Sequence, residues 1–110
     1  MPTPDKLTII ERLRPVLHKS GAYKCILFGS FAGNTATRRS DLDLMILQDT
    51  EKRFFDRHDD FQAIHDAFPN LAIDLLIYTP DELKNIQHRR FIRDILSRGE
   101  VIYERCQESA

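Results

Sequence analysis

Residues 40–47 read Ser-Asp-Leu-Asp-Leu-Met-Ile-Leu, and this run decides the fold class. From Leu42 to Leu47 the residues are nearly all apolar and long enough for one strand, a pattern typical of a strand buried on both faces. Asp41 and Asp43 lie on either side of its first residue. Side chains two positions apart in a strand project from the same face. The run therefore predicts a central strand with a pair of carboxylates at one end.

Three further strands are expected around this one. They are Lys24–Phe28, Leu71–Tyr78 and Val101–Tyr103. The first is a short apolar segment that ends at Gly29, and the last would form a short edge strand.

Two stretches before the third strand have the spacing of amphipathic helices. The first begins at the helix-start signal Thr3-Pro4-Asp5 and runs to about His18. Pro15 is expected to kink or shorten its end, because proline removes a backbone hydrogen bond and crowds the preceding turn. The second helix is expected within Thr50–Phe68, where phenylalanine and isoleucine recur among charged residues.

A third helix is expected to start at a capping box and to continue to Gly99. In the box, Thr79 caps the first turn and Glu82, three residues later, reaches back to the cap. Helices and strands thus alternate along the chain. The order predicts an α/β (α+β) fold, a single domain in which a small mixed sheet is flanked by helices.

Composition restricts the class of protein. The chain has 110 residues, the usual size of one domain, with 42% hydrophobic and 30% charged residues. Sixteen Lys and Arg against 17 Asp and Glu give a net charge of -1, which argues against extended nucleic-acid binding. The two cysteines have no metal or redox spacing, and no apolar run approaches the roughly 20 residues that span a bilayer. A cytoplasmic protein without a membrane partner is expected.

Acidic residues interrupt the apolar strands at three positions, Asp41, Asp43 and Asp74. An unpaired carboxylate in such a place is costly unless a cation or hydrogen bonds neutralise it. Carboxylates completed by water and phosphate oxygens are the usual ligands of Mg²⁺. Gly29 and Ser30 end the preceding strand, where backbone N–H groups and a small hydroxyl can approach a phosphate. Antiparallel pairing of the first two strands would bring this phosphate site beside the carboxylates.

These residues together resemble the minimal nucleotidyltransferases (MNT) of the polymerase-β superfamily, in particular the antitoxins of HEPN/MNT toxin–antitoxin pairs. The resemblance rests on Phe28-Gly29-Ser30, on Asp41 eleven residues after Ser30, on the run 40–44 and on the apolar-flanked Asp74. It covers almost the whole chain, so residues 1–110 are expected to form one minimal nucleotidyltransferase domain.

The resemblance implies an enzyme that moves AMP from ATP to a hydroxyl. Asp41, Asp43 and Asp74 would be the catalytic residues and the Mg²⁺ ligands, with Asp74 either a ligand or the base that activates the acceptor. Gly29 and Ser30 would bind the triphosphate. Family members often carry a basic residue and then glycine after Gly-Ser-x-Ala, whereas this chain has Gly33 and Asn34, so phosphate binding is expected to rely on Arg39 or its neighbour Arg38. The acceptor would be a tyrosine of a HEPN-type ribonuclease toxin, held in a hetero-oligomer.

Other interpretations remain open from the residues alone. The protein could be a non-catalytic antitoxin that neutralises its toxin by binding, or a metal-dependent phosphate hydrolase. The acids at 41 and 43 could be a cap and an ion pair, and Asp74 could pair with an arginine. Gly29 and Ser30 could simply end a strand and begin a helix. The arginines of residues 84–98 are expected to form a solvated face, and the four histidines are expected at the surface rather than at a metal site.

Overall fold

Four strands form one sheet in the computed structural model, which describes residues 5–33 and 41–105. The strands are β1 (Lys24–Phe28), β2 (Leu42–Leu47), β3 (Ile73–Tyr78) and β4 (Glu100–Glu104). Their order across the sheet is β3-β2-β1-β4. β1 is antiparallel to both β2 and β4, whereas β2 and β3 are parallel. The predicted mixed sheet and the central position of β2 are confirmed, and β4 is the edge strand that the sequence predicts.

Helices cover both faces of the sheet. They are α1 (Lys6–Lys19), α2 (Gln62–Ala67), α3 (Pro80–Ile86) and α4 (Arg90–Arg98), with 3₁₀ turns at Gly29–Phe31 and Phe54–Phe61. α1 and α2 pack on one face, where the buried core includes Leu13, Leu44 and Ile64. α3 and α4 pack on the other, where Ile26 and Met45 of the sheet meet isoleucines of α4. Burial of each such aliphatic side chain stabilises the fold by about 1.5–3 kcal/mol. No helix of the described residues is long and apolar enough to cross a membrane.

The first helix ends within one residue of its predicted end at about His18. Its cap is Asp5, whose carboxylate accepts a hydrogen bond from the backbone N–H of Thr8 at 2.8 Å; Thr3 and Pro4 lie outside the described residues. Pro15 does not shorten the helix, which continues to Lys19. The missing N–H of Pro15 leaves the carbonyl of Glu11 without its helical partner. Both residues are exposed, so water can satisfy that carbonyl.

The single helix expected within residues 50–68 is two elements, a 3₁₀ helix (Phe54–Phe61) followed by the short α2. In a 3₁₀ helix, residues three apart lie above one another. Phe54 and Arg57 have this spacing, and Arg57 is only 5% exposed because its guanidinium donates to the carbonyl of Ile77 in β3. The tighter helix therefore directs one charged side chain into the protein, which hydrophobic spacing does not predict.

The capping box at the start of α3 is confirmed, but the helix does not continue to Gly99. It ends at Ile86, and α4 begins at Arg90. Leu83 and Ile92 both pack against the same sheet face. They are nine residues apart, so at 3.6 residues per turn an unbroken helix would place them on roughly opposite sides. The break turns both toward the sheet.

Gly99 ends α4 without the left-handed conformation that is common at helix ends. Its φ is -71°. A Cβ atom here would lie 2.5 Å from Cγ2 of Ile26 and 2.5 Å from the carbonyl oxygen of Ile95. Close packing against β1, rather than a positive φ, therefore requires glycine.

Candidate active site

Sheet register places two of the three predicted carboxylates side by side. Asp43 is paired with Asp74 across the parallel β2–β3 ladder and with Phe28 across the antiparallel β1–β2 ladder. Asp41 precedes β2 by one residue and is exposed. Because alternate residues share a face, Asp41 and Asp43 lie on the side of β2 that carries Met45, the side covered by α4. The end of β1 and the beginning of β2 therefore meet as the sequence predicts.

The carboxylates influence one another electrostatically. Asp43 is half-buried, whereas Asp74 is exposed. Desolvation, followed by the negative charge of Asp74, a side-chain hydrogen bond with Asp74 and the charge of Asp41, raises the pKa of Asp43 to about 6. Among the described residues, no lysine or arginine forms an ion pair with Asp43 or Asp74. The interpretation of Asp74 as the partner of an arginine thus finds no support in the described residues, and the negative charge here suits a bound cation.

Gly29 brings the backbone directly against Asp43. Its φ is +75°, a left-handed conformation that residues with a side chain rarely adopt. A Cβ atom at this position would contact Oδ2 of Asp43 and lie 3.3 Å from its Cγ. Gly29 then starts the short 3₁₀ turn in which Ser30 is the second residue and is half-buried. Arg38 and Arg39, the other residues expected to contact phosphate, lie outside the described residues.

Two neighbouring cavities open at this end of the sheet. The first, about 480 Å³, is the acidic cavity, lined by Asp43 and Asp74 together with His58. The second, about 760 Å³, is the α4 cavity, which lies between the turn that follows β1 and the helix α4. Phe28 and Phe91 line both cavities, and their rings meet edge to face with centroids 6.1 Å apart. This aromatic pair lies at the border between the two cavities.

A sequence comparison settles the family. Residues 11–108 match the family described as Polymerase beta, Nucleotidyltransferase. The chain belongs to this nucleotidyltransferase family. The family match supports the nucleotidyltransferase activity that the sequence predicts. The carboxylates lie where β1 and β2 meet. No curated protein sequence matches the chain.

Solved structures share the fold of this nucleotidyltransferase. A chain from the crystal structure of a toxin–antitoxin with AMP-PNP is 17% identical and covers 87% of this chain and 73% of its own length, with a TM-score of 0.63. A protein from Sulfolobus solfataricus described as a nucleotidyltransferase is 13% identical, with a TM-score of 0.59 and coverage of 90% and 83%. A chain from the complex of the tri-AMPylated Shewanella oneidensis HEPN toxin with its MNT antitoxin is 14% identical, with a TM-score of 0.57 and coverage of 90% and 72%.

The donor atoms of the nucleotidyltransferase site fit a hard divalent cation. Asp41, Asp43 and Asp74 offer only oxygen, the ligand type that Mg²⁺ prefers. Within residues 5–33 and 41–105, however, no three His, Cys, Asp or Glu side chains converge closely enough to hold a metal as they stand. Asp43 and Asp74 are together, so the exposed Asp41 would have to turn toward them to complete a three-carboxylate site.

Sequence reasoning did not assign four residues that line these cavities. His58 lies beside the carboxylates in the acidic cavity, and Arg90, Phe91 and Arg98 line the α4 cavity. Both arginines are exposed, as expected for the solvated face of α4, yet this face borders the site. Their sequence spacing shows only that they share one side of a helix. Where that side lies depends on how α4 packs on the sheet.

Proposed function

We propose that this nucleotidyltransferase transfers AMP from ATP to a tyrosine hydroxyl of a HEPN-type ribonuclease toxin and thereby acts as the toxin's antitoxin. The proposal rests on the meeting of Asp43, Asp74 and Gly29 at one end of the sheet. It is supported by the similarity of the fold to chains from a toxin–antitoxin with AMP-PNP and from an AMPylated HEPN toxin bound to an MNT antitoxin. We further propose that residues 1–110 act as one minimal catalytic domain.

In this proposal Asp41, Asp43 and Asp74 hold Mg²⁺. A bound divalent cation supplies charge neutralisation at phosphate oxygens and helps orient the nucleotide. The pKa of Asp43, raised to about 6 by burial and by its acidic neighbours, indicates how unfavourable this cluster is without a cation. Binding of the cation would therefore relieve repulsion that the fold itself creates.

The remaining residues would position the two reactants. Gly29 and Ser30, assisted by Arg39, would bind the triphosphate through the backbone N–H groups of the turn, a hydroxyl and a guanidinium. Asp74 is exposed on the acidic cavity, where it can accept a hydrogen bond from the acceptor hydroxyl and favour loss of its proton. His58 can donate or accept a hydrogen bond on the same cavity wall.

The acceptor is proposed to be a separate protein because the site is open. Asp41 and Asp74 are both exposed, and the phenyl ring of Phe91 at the border of the acidic cavity is 54% exposed. A tyrosine from a partner can therefore reach the carboxylates without rearrangement of the core. The working form would be a hetero-oligomer with the toxin.

The deciding experiment incubates the purified protein with Mg²⁺, labelled ATP and the product of its neighbouring gene, and measures the intact mass of both proteins. We expect the partner to gain one or more AMP units, and Asp43→Asn to abolish the gain. Asp49→Asn provides a matched control, because Asp49 is an exposed acid just beyond the opposite end of β2. A stable complex without any gain in mass would instead support the antitoxin that acts by binding alone.

A further inference from the structure

The α4 cavity is a second compartment that the carboxylate chemistry does not use. Its volume of about 760 Å³ lies within the roughly 300–1,000 Å³ typical of small-ligand sites. One wall is formed by the turn after β1, including Gly29 and Gly33, and the other by α4. Because Gly29 lies so close to the carboxylate of Asp43 that an added Cβ atom would meet it, a ligand in this cavity would begin next to the acidic site.

The α4 wall of this cavity carries two cationic side chains. Arg90 and Arg98 both line it, separated by two turns of the helix, with Asp94 between them. Among the described residues, neither arginine takes part in an ion pair or a side-chain hydrogen bond. With the single carboxylate of Asp94 between them, the two guanidinium groups leave this wall with an excess of one positive charge, which favours an anionic ligand.

The opposite wall is suited to the same anion. Glycine has no side chain, so a ligand can approach the backbone of Gly29 and Gly33 closely. The aromatic pair Phe28–Phe91 lies between this compartment and the acidic cavity. On one side of this aromatic pair, the arginines of α4 face the glycine backbone. The carboxylates of Asp43 and Asp74 lie on the other side.

We propose that Arg90 and Arg98 bind the phosphate chain of the nucleoside triphosphate in the α4 cavity. The inference rests on the proposed nucleotide transfer and adds two phosphate ligands to Gly29, Ser30 and Arg39. The guanidinium group suits this task, because its planar donors can hold a phosphate through two parallel hydrogen bonds. The two residues would position the nucleotide so that its α-phosphate lies at the carboxylates and its leaving phosphates at α4.

The test measures equilibrium binding of ATP, inorganic tripolyphosphate and adenosine to the whole protein by calorimetry, in Mg²⁺ at constant ionic strength. The double variant Arg90→Gln/Arg98→Gln should bind ATP and tripolyphosphate at least about tenfold more weakly, because each lost contact is a hydrogen bond to a charged group. Adenosine binding should change less than about twofold, because adenosine has no phosphate. Adenosine binding weakened as much as ATP binding would overturn the assignment of this cavity to phosphate.

A charge-matched control lies on the same helix. Arg89→Gln/Arg93→Gln also removes two positive charges, but at exposed positions that do not line the cavity. We expect it to bind ATP within about twofold of the wild type, since loss of general attraction alone is screened by salt. An equal loss in both double variants would overturn the inference. Thermal melting of both variants verifies that they fold, which exposed substitutions should allow.

Failure of the inference can be told from failure of the proposed function. If the wild type transfers AMP to the toxin but the Arg90/Arg98 variant binds ATP like the wild type, the inference is wrong and the proposed function stands. If the variant loses ATP binding selectively but the wild type transfers no AMP, the phosphate site stands and the proposed acceptor is wrong.

Discussion

Asp43 lies directly opposite Asp74, its register partner on the neighbouring parallel strand, and the negative charge of Asp74 helps to raise the pKa of Asp43 to about 6. The pairing depends on strand register, because a slip of one residue would turn every side chain of the strand to the other face. The apolar residues of β2 and β3 therefore have two effects. By selecting the register that buries them, they also bring the two acids together.

Asp74→Asn should reduce AMP transfer by about 100-fold, the lower end of the usual effect of a general base. The substitution keeps the size of the side chain but removes its charge and its ability to take a proton. Initial rates with labelled ATP and the HEPN-type partner measure the effect. The control Asp81→Asn alters an exposed acid on α3 that does not line the acidic cavity and should keep the wild-type rate. An Asp74→Asn variant with more than about half of the wild-type rate would exclude a catalytic role for Asp74.

Stability should depend on pH through Asp43. Its pKa in the folded protein is raised from 3.8 to about 6, so the folded state binds the proton more tightly than the unfolded chain does. The free energy of unfolding should therefore fall as pH rises from about 4 to about 6 and stay lower above that range. Asp43→Asn removes the repulsion. In EDTA it should be more stable than the wild type at pH 8, and the difference should shrink toward pH 4.

Denaturant unfolding at several pH values measures this effect. The control Asp49→Asn should keep the wild-type dependence of the free energy of unfolding on pH. Adding Mg²⁺ at pH 8 should stabilise the wild type but not Asp43→Asn, because a cation that binds the folded state raises its stability. Equal pH dependence in the wild type and Asp43→Asn would refute the electrostatic explanation.

Gly29→Ala should be more damaging than Gly21→Ala, although both glycines have nearly the same backbone conformation. Their φ angles are +75° and +76°, so each substitution should cost about 1–2 kcal/mol of stability for the left-handed conformation alone. At Gly21 a methyl group meets nothing within 4 Å, whereas at Gly29 it meets the carboxylate of Asp43.

The two variants should therefore differ most in activity. We expect Gly29→Ala to lower the transfer rate at least about tenfold, because displacement of a catalytic group by 1 Å can cost about 100-fold. Gly21→Ala should keep the wild-type rate at a temperature where it is folded. Unfolding curves and initial rates test both; equal rates would mean that the close approach of Gly29 to Asp43 has no catalytic importance.

Glu82→Gln should destabilise the fold by about 2–3 kcal/mol. The Arg57 guanidinium, 5% exposed, binds Glu82 through contacts of 2.6 and 3.0 Å, and loss of the carboxylate leaves a buried positive charge. The effect falls below that of a fully buried pair because Arg57 still donates to the carbonyl groups of Lys52 and Ile77. The matched control Glu104→Gln breaks the exposed pair with Lys24 and should cost less than about 1 kcal/mol.

The contribution of this ion pair to stability should have the opposite pH dependence to the contribution of Asp43. The Arg57 hydrogen bond lowers the pKa of Glu82 from its usual 4.5, so the stabilisation is present above that value and is lost as pH falls. Equal losses for Glu82→Gln and Glu104→Gln in denaturant unfolding would contradict the distinction between a pair with a buried arginine and a pair in which both partners are more exposed.

The local sequence predicted the bounds of the strands more accurately than the bounds of the helices. β1 and β2 match their predicted bounds because each is an apolar run bordered by glycine or aspartate. The two strands also pair with each other along their whole length. The break at residues 87–89 carries no proline or glycine. It is caused by the need to turn α3 and α4 toward the same sheet, a requirement of tertiary packing that no local signal records.

The distinction between local signals and tertiary packing also applies to the residues of the site. Asp43, Asp74 and Gly29 were predictable because the chemistry and the strand positions are both visible in short motifs. Arg90 and Arg98 were not, because an exposed arginine on a helix has the same pattern whether it faces solvent or a neighbouring cavity.

The position of β2 inside the sheet has a consequence for dynamics. Because β2 is hydrogen-bonded to a strand on each side, its amide protons should exchange with solvent only when much of the domain opens, and those of the edge strand β4 much sooner. Asp43 thus lies on one of the two interior strands of the sheet, β2, whose amide protons should exchange more slowly than those of β4. The position of the Asp43 carboxylate should therefore persist while the edge strand β4 opens.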